Sequence, residues 1–535
     1  MKKIIISLAV IGLLFNSCDS FLEEDVRSNV VAEEFYVTPE GFESLVNANY
    51  ALLSDIYGGE AWLFCAGTDM YSDGRNPAPE DISRYSNLSP GTREVEPLYV
   101  NSYNAIQKAN MGLYYADITE QTDNISTRIG ELKYLRANAY FLLVQTYGGV
   151  SLITDYISSP ILGFDRSSAE DVYAFIISEL NESLNLVGNG AYDGRVNKRA
   201  VQHLLAKVYL TRGYESFGSA DDFSQAASLA DAAIGGQSLT IPFEDLWEPG
   251  NEMNAETLFS VQYSASITSA NPTELGNLQS YYFGSYLGGA EVAGDAPYRS
   301  YNLIATDYAI DLFTEKDSRW AATFMVEIFD RYYDYYDESD HSSLEVVDYY
   351  APKWASSTQD SISYVTAHPT ATFHRYGKYS AGVVSSDREL ITVKKFDDPN
   401  EPFSNGRSST RDIILSRLGE TYLVAAEAYF KAGNSGTALE RLNEVRHRAG
   451  VDPLANIDID TILDERGREL LGEYHRWFDL KRTGTLVERA SMYNYLINEG
   501  NFAGNNGELK ILRPIPQIAI DLNQNNDFSQ NPAYN

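Results

Sequence analysis

Two stretches of this sequence set aromatic rings beside hydrogen-bonding side chains at short spacing. The first is GTDMYSDGRNPAPEDISRYSN (67–87). Here Asp69, Asp73 and Asn87 can exchange hydrogen bonds with sugar hydroxyls, Arg75 supplies a planar fork of donors, and Tyr71 or Tyr85 can stack on the C–H face of a pyranose. The second is NLQSYYFGSYLGGAEVAGDAPYRSY (277–301), with Tyr281, Tyr282, Tyr286 and Tyr298 among glycines that let a ligand approach the backbone. Packing into helix seams is the competing role for each of these tyrosines. Trp354 and the tyrosines of 330–336 are the next aromatic groups to consider if these two stretches are not a site.

Reactive constellations are missing from the sequence. It has no GxSxG elbow, HExxH, P-loop or CxxC pair, and its six histidines, at 203, 341, 368, 374, 447 and 475, never share a helix face at metal-ligand spacing. No catalytic residue, metal ligand or cofactor motif is assigned. His475 reads as a structural hydrogen-bonding residue. A glycosidase needs only two placed carboxylates, so the 75 acidic residues leave that reading open. The run DRYYDYYDESD (330–340) carries Asp330, Asp334, Asp337 and Asp340, but it lacks the glycine and terminal glutamate of a calcium loop and reads as a solvated acidic loop.

The first residues form an export signal rather than structure. Lys2 and Lys3 precede an apolar run from Ile4 to Phe15, too short for a permanent membrane span, and Ser17 stands before Cys18. Residues 1–17 are therefore a signal peptide, and 18–37 a tether acylated at Cys18; an ordinary cleaved signal with an incidental cysteine is the alternative. Two or more acyl chains anchor a protein stably where one does not. With Cys18 acylated, Cys65 has no intrachain disulfide partner, and the run AWLFCAG makes it a small buried apolar residue. The 75 acidic residues against 41 basic ones give a net charge of −34, which repels polyanions and excludes nucleic acid as a partner.

Helical periodicity organises the rest. Phe42, Leu45, Val46, Leu52, Leu53 and Ile56 recur at helical spacing between a Thr38-Pro39 start and a Gly58-Gly59 stop. Similar patterns occupy 96–117, 126–147, 168–187, 197–213 and 221–234. Ser167-x-x-Glu170 and Ser168-x-x-Asp171 are both capping candidates for the segment 168–187. Ala426, Tyr429, Gly433, Ala438 and Leu442 have the spacing of a tetratricopeptide unit, with small residues at a close helix crossing and a glycine at the turn. Segment 461–482 reads as one helix started by Thr461-x-x-Asp464, with Leu463, Leu470, Tyr474 and Phe478 on one face and Arg466, Glu469, Glu473, Arg476 and Asp479 pairing locally. The expected fold is mainly α: a tetratricopeptide-like array over 38–234 and 411–482, a loop-rich insertion over 235–410 with short strands such as LFSVQYS and ELITVKKF, and an extended tail over 483–535.

Several motifs in order, ELKYLRANAYFLLVQTYGGVSLI (131–153), RVNKRAVQHLLAKVYLTRG (195–213), RLGETYLVAAEAYFKAGN, ILDERGRELLGEYHRWFDLKRTG and the closing LRPIPQIAIDLNQNNDFSQNPAYN, resemble the starch-utilisation D-type (SusD/RagB) family of outer-membrane nutrient-binding lipoproteins. The resemblance covers most of the chain and fades over 59–98 and 264–400. It implies a single SusD-like domain over 38–535 that binds oligosaccharide or polysaccharide and delivers it to a partner SusC-like TonB-dependent transporter. It also implies a lipid-anchored protein of the outer membrane facing the exterior, the acidic run Asp19, Glu23, Glu24, Asp25 resembling the family's surface-export signal. Family ligand sites are aromatic arcs on loops in comparable places, so the mapping is by region only. Peptide capture is the alternative within the family, and a lipid-anchored glycosidase the alternative outside it.

Overall fold

The computed structural model describes residues 32–59, 61–264, 276–286, 299–330, 334–379, 387, 389–399 and 407–535. Cys18 and Tyr298 lie outside them, as do Tyr332 and Tyr333. Helices of seven or more residues are α1 (Pro39–Tyr57), α2 (Glu96–Ala116), α3 (Ile125–Tyr147), α4 (Ala169–Leu186), α5 (Lys198–Arg212), α6 (Ala220–Ile234), α7 (Thr358–Ala367), α8 (Leu418–Lys431), α9 (Ser435–Arg448), α10 (Ile459–Glu469), α11 (Arg476–Arg482) and α12 (Leu486–Tyr493). Strands are β1 (Tyr71–Asp73), β2 (Thr257–Val261), β3 (Leu303–Ala305), β4 (Glu327–Phe329), β5 (Val346–Tyr350), β6 (Thr372–His374) and β7 (Ile413–Arg417).

Local capping sets where the array helices begin. Thr38 accepts a hydrogen bond from Gly41 N–H to start α1, and of the two candidates for α4 it is Ser168, accepting from Asp171 N–H, that caps the helix. Each long helix then packs on the next, α1 on α2, α2 on α3, α3 on α4, α4 on α5 and α5 on α6. The next neighbour of α6 is α8, which lies some 180 residues further along the chain and in turn packs on α9. The array is thus continuous in space though interrupted in sequence, and β2 pairs antiparallel with β7 (Val261 opposite Ile413) to clamp the two ends of the insertion together. Ala226, Ala230, Ala425, Ala426 and Leu442 share one core cluster, and Ala438 is fully buried, as close crossing of repeat helices requires.

The insertion carries a three-stranded sheet, with β5 central, antiparallel to β4 and parallel to β6. Only part of its strand expectation holds: LFSVQYS supplies β2, whereas ELITVKKF contributes no strand beyond a single bridge from Val393 to Phe324. The tail is not simply extended, since it holds α12 and a short helix at Gln517–Leu522.

The segment 461–482 departs most from its sequence reading. Its helix starts three residues earlier, at Ile459, because Asp458 and not Thr461 is the N-cap. The chain then breaks at Gly472 (φ 83°) and Tyr474 (φ 66°) before α11 begins. A Cβ on Gly472 would meet the Phe396 ring at 2.2 Å, so the break is also a close approach. Arg468 pairs with Glu465 and Arg482 with Asp479 one turn apart, and Arg466 reaches Asp479 across the break, but Glu465, Glu469 and Glu473 find most of their cations far away in the chain. Arg319 reaches Glu465 at 2.8 Å and Glu469 at 3.0 Å, Arg417 reaches Glu469 at 2.6 Å and Glu473 at 2.7 Å, and Lys395 reaches Glu473 at 2.5 Å. Arg448 also pairs with Glu469, and all of these groups are buried. Burial alone would raise the Glu469 carboxyl, and Arg448, Arg417 and Arg319 overcome it and hold it below the usual carboxylate range.

Removing one member should leave charges buried without partners. Arg417→Met is expected to cost about 3–5 kcal/mol, read as a lower urea midpoint; a midpoint within error of wild type would show that the network does not support the fold.

Candidate functional site

Pairing of β1 with β3 brings the two aromatic stretches side by side, with Tyr71 opposite Ala305 and Asp73 opposite Leu303. Just past β1, Gly74 N–H donates to Asn302 O and Arg75 N–H to Tyr301 O. A Cβ on Gly74 would lie 1.6 Å from Tyr301 O, so only glycine permits this approach. Asn76 then donates to Ser300 Oγ at 2.7 Å. Two segments more than 200 residues apart therefore share one edge.

That edge has a buried side and an accessible one. Asp69 is fully buried and accepts hydrogen bonds from Arg476 (2.7 and 2.6 Å) and from Arg489 Nε (3.1 Å). Burial would raise its carboxyl, but the two guanidinium groups hold it below its ordinary value. The buried Tyr71 hydroxyl accepts from Gly472 N–H. Tyr85 closes the short helix Glu80–Arg84 in left-handed conformation (φ 62°), donates from its hydroxyl to Gly67 O at 2.8 Å and accepts from Trp477 Nε1 at 3.1 Å. Its ring lies 4.0 Å from that of Phe502. Tyr281 and Tyr282 are buried as well, Tyr282 edge-on to Trp62 at 4.8 Å. The structure thus places these four tyrosines and Asp69, expected to meet a ligand, in the interior instead, and the polar atoms of Asp69, Tyr71 and Tyr85 find their partners there.

Arg75, Asn87, Asp73 and Tyr286 remain. Asn87 is exposed, and Asp73 is half-buried and accepts from Arg84 at 2.8 Å. The Arg75 guanidinium lies 3.5 Å over the half-buried Tyr286 ring and 3.5 Å from Asp387. Asp387 also accepts from the Tyr301 hydroxyl. A planar cation stacked on a ring, beside a carboxylate, is a surface of donors and acceptors with an apolar face next to it, which suits a polar ligand carrying both hydroxyls and C–H faces.

One buried constellation gave no sequence signal, because its members come from α5, from α8 and from His475 just before α11. His203 Nε2 meets Glu420 Oε2 at 3.0 Å, Lys207 Nζ meets Glu420 Oε1 at 2.7 Å, and His475 Nδ1 lies 3.5 Å from both Lys207 Nζ and Glu420 Oε1. Among the described residues no group of His, Cys, Asp and Glu is arranged to hold a metal ion. In the acidic run, Asp340 caps a turn by accepting from Ser342 N–H. Cys65 is buried, and burial pushes its thiol up, away from nucleophilic use.

Comparison with known proteins places this helical-repeat architecture among SusD-like proteins. A family profile described as the SusD family matches residues 255–534, and one described as "Starch-binding associating with outer membrane" matches residues 21–210. The chain belongs to the SusD family. It is 27% identical over 510 residues to a SusD-like protein of Bacteroides ovatus, covering 90% of this chain and 82% of that one. It is 22% identical over 474 residues to the starch-binding protein SusD of Bacteroides thetaiotaomicron, covering 85% and 82%. Among solved structures, a laminarin-binding SusD-like protein superposes with a TM-score of 0.69 at 22% identity, covering 93% of this chain and all of that one. Surface glycan-binding protein A of Bacteroides thetaiotaomicron, solved in complex with laminarihexaose, gives 0.69 at 18% identity, covering 92% and 100%.

The buried histidines predict a dependence on acid. Burial, the largest influence, lowers His475 from 6.5 to about 4 and lowers His203 in the same direction, so the folded state holds both neutral where the unfolded chain takes up protons. Glu420, which burial alone would raise, is held well below its ordinary value by His475, Lys207 and His203, and its contribution is also lost on the acid side. Stability should be full above pH 6.5 and fall toward pH 4, by on the order of 2 kcal/mol from His475. Urea unfolding at pH 7.5 and pH 4.5 checks this, and His475→Gln should lessen the drop; an equal drop in both proteins would remove His475 as its source.

Proposed function

We propose that this chain is a lipid-anchored protein of the outer membrane, facing the exterior, that binds oligosaccharide or polysaccharide and delivers it to a SusC-like TonB-dependent transporter. Membership of the SusD family carries this reading, and the glycans named for two of its structural relatives, laminarin and laminarihexaose, indicate the ligand class to try first. The strongly acidic sequence supports a neutral glycan over a polyanionic one. In this reading Arg75, Tyr286, Asn87 and Asp73 meet the ligand, Arg75 and Asp73 by hydrogen bonds to hydroxyls and Tyr286 by its ring. No residue acts as nucleophile or general acid, and the protein releases its ligand unchanged. Acylation at Cys18 supplies the anchor.

Tyr286→Ala and Arg75→Ala should each weaken glycan binding about tenfold with little change in melting, whereas Tyr85→Ala, which empties a core position, should cost about 3–5 kcal/mol of stability. Isothermal titration against a panel starting with laminarihexaose, alongside thermal melts, separates the two effects. Wild-type affinity in both accessible-site variants would move the site elsewhere. Binding of peptides and of no glycan would replace this reading by peptide capture, and chain shortening of the glycan would replace it by hydrolysis.

Cys18→Ala should leave the fold intact and release the protein from membranes. Continued sedimentation with outer membrane, with labelled fatty acid attached, would refute the anchor.

A further inference from the structure

A second aromatic surface lies on the insertion, built by other elements than the β1–β3 edge. A cleft of about 330 Å³, open to solvent, runs between the segment 315–326 and the turn after β5, and is lined by Trp320, Tyr349, Pro352, Trp354, Glu315 and Lys316. Its size lies within the range of small-ligand sites, roughly 300–1,000 Å³. Trp354 and Tyr349 are half-buried, so each is held by the protein on one side and reachable on another.

The rings are fixed before any ligand arrives. Trp354 meets Trp320 edge-on at 5.6 Å and 71°. Tyr349 is stacked on Tyr364 at 3.8 Å and 12°, and the Tyr364 hydroxyl donates to Glu327 at 2.5 Å. Below them, Ser318 N–H donates to Ala449 O at 3.0 Å, Tyr379 donates to Ala351 O at 2.8 Å, and Arg319, the neighbour of Trp320, is locked into the buried carboxylates Glu465 and Glu469. A wall held this firmly loses little conformational entropy on binding.

A second depression, lined by Phe329, Tyr335, His341, Lys394 and Glu244, shares Ala321 and Val326 with the first. The two are neighbours, near enough for a ligand longer than one ring to reach from one to the other. Their ionic groups are of mixed sign. Lys316 pairs with Asp452 at 2.8 Å at an exposed site, where such a pair is weak and readily exchanged, and Lys394 lies 3.7 Å from Glu244. Flat apolar rings bordered by balanced charges suit a neutral chain that offers alternating C–H faces and hydroxyls.

We propose that the Trp320–Tyr349–Trp354 cleft, with the depression beside it, is a second oligosaccharide-binding site that takes several residues of a neutral glycan. This rests on the glycan-binding reading above. Trp354 stacks on one sugar ring, Tyr349 bounds the adjoining position, and Glu315 and Lys316 exchange hydrogen bonds with hydroxyls.

The test is protection of Trp354 from N-bromosuccinimide oxidation in the wild-type protein, read by peptide mass spectrometry, with laminarihexaose, maltoheptaose, an oligogalacturonate and a proline-rich peptide as probes. A neutral glycan should protect Trp354, and Trp354→Ala should weaken binding of that glycan about tenfold while its circular dichroism matches wild type. Should Trp354→Ala fail to fold, the protection measured on wild type decides alone. Glycan binding without protection, and with wild-type affinity in any folded Trp354→Ala, overturns the second site while leaving the glycan-binding reading standing. Protection only by the anionic sugar or only by the peptide overturns the ligand class. If wild type binds none of the sugars, the glycan-binding reading fails and this site falls with it.

Discussion

Three glutamates spaced four residues apart, Glu465, Glu469 and Glu473, lie buried among Arg319, Lys395, Arg417 and Arg448, and the arrangement of the whole molecule turns on them. A buried carboxylate is tolerated only with its cations in place, so these pairs demand a particular geometry while adding little net stability. Arg319 and Lys395 come from the insertion, Arg417 ends the strand that leads into the second part of the array, and Arg448 ends α9. Satisfying all of the charges at once requires array, insertion and the α10–α11 break to meet at one place.

The insertion can be long because its ends are clamped. With β2 paired to β7 and α6 packed on α8, the array closes over the interruption, and the loops between are supported without having to complete the repeat. Such loops need satisfy only their own hydrogen bonds, and binding surfaces gather there on a rigid scaffold. The two accessible aromatic surfaces described above follow this plan. One hangs on the β1–β3 edge, the other on the turn after β5.

Burial sorts the tyrosines. Tyr71, Tyr85, Tyr281 and Tyr282 fill gaps between elements, and the hydroxyls of Tyr71 and Tyr85 answer backbone groups in the interior. Tyr286 and Tyr349 are only half-buried, Tyr286 under the Arg75 guanidinium and Tyr349 against Tyr364. The same residue type thus serves the core by its ring and its single polar atom, and leaves part of its ring accessible where the core does not close over it.

The sequence by itself determined the signal-like start, the acidic charge, the family and the ends of most array helices. These depend on residues close in the chain: a cap answers an N–H two or three positions on, and a helix face repeats every three or four, as at Thr38 and Ser168. At the start of α10 two capable caps stand three residues apart and the structure uses both, Asp458 as the N-cap and Thr461 as its reciprocal partner in a capping box. Tertiary structure alone decided which charges pair and which aromatic rings stay accessible. Glu469 finds its cations up to 150 residues away, Tyr85 is buried by Phe502 and Trp477 from the far end of the chain, and Trp354 is left half-buried beside Trp320. Exposure is set by what else arrives at a position, and no local pattern records that.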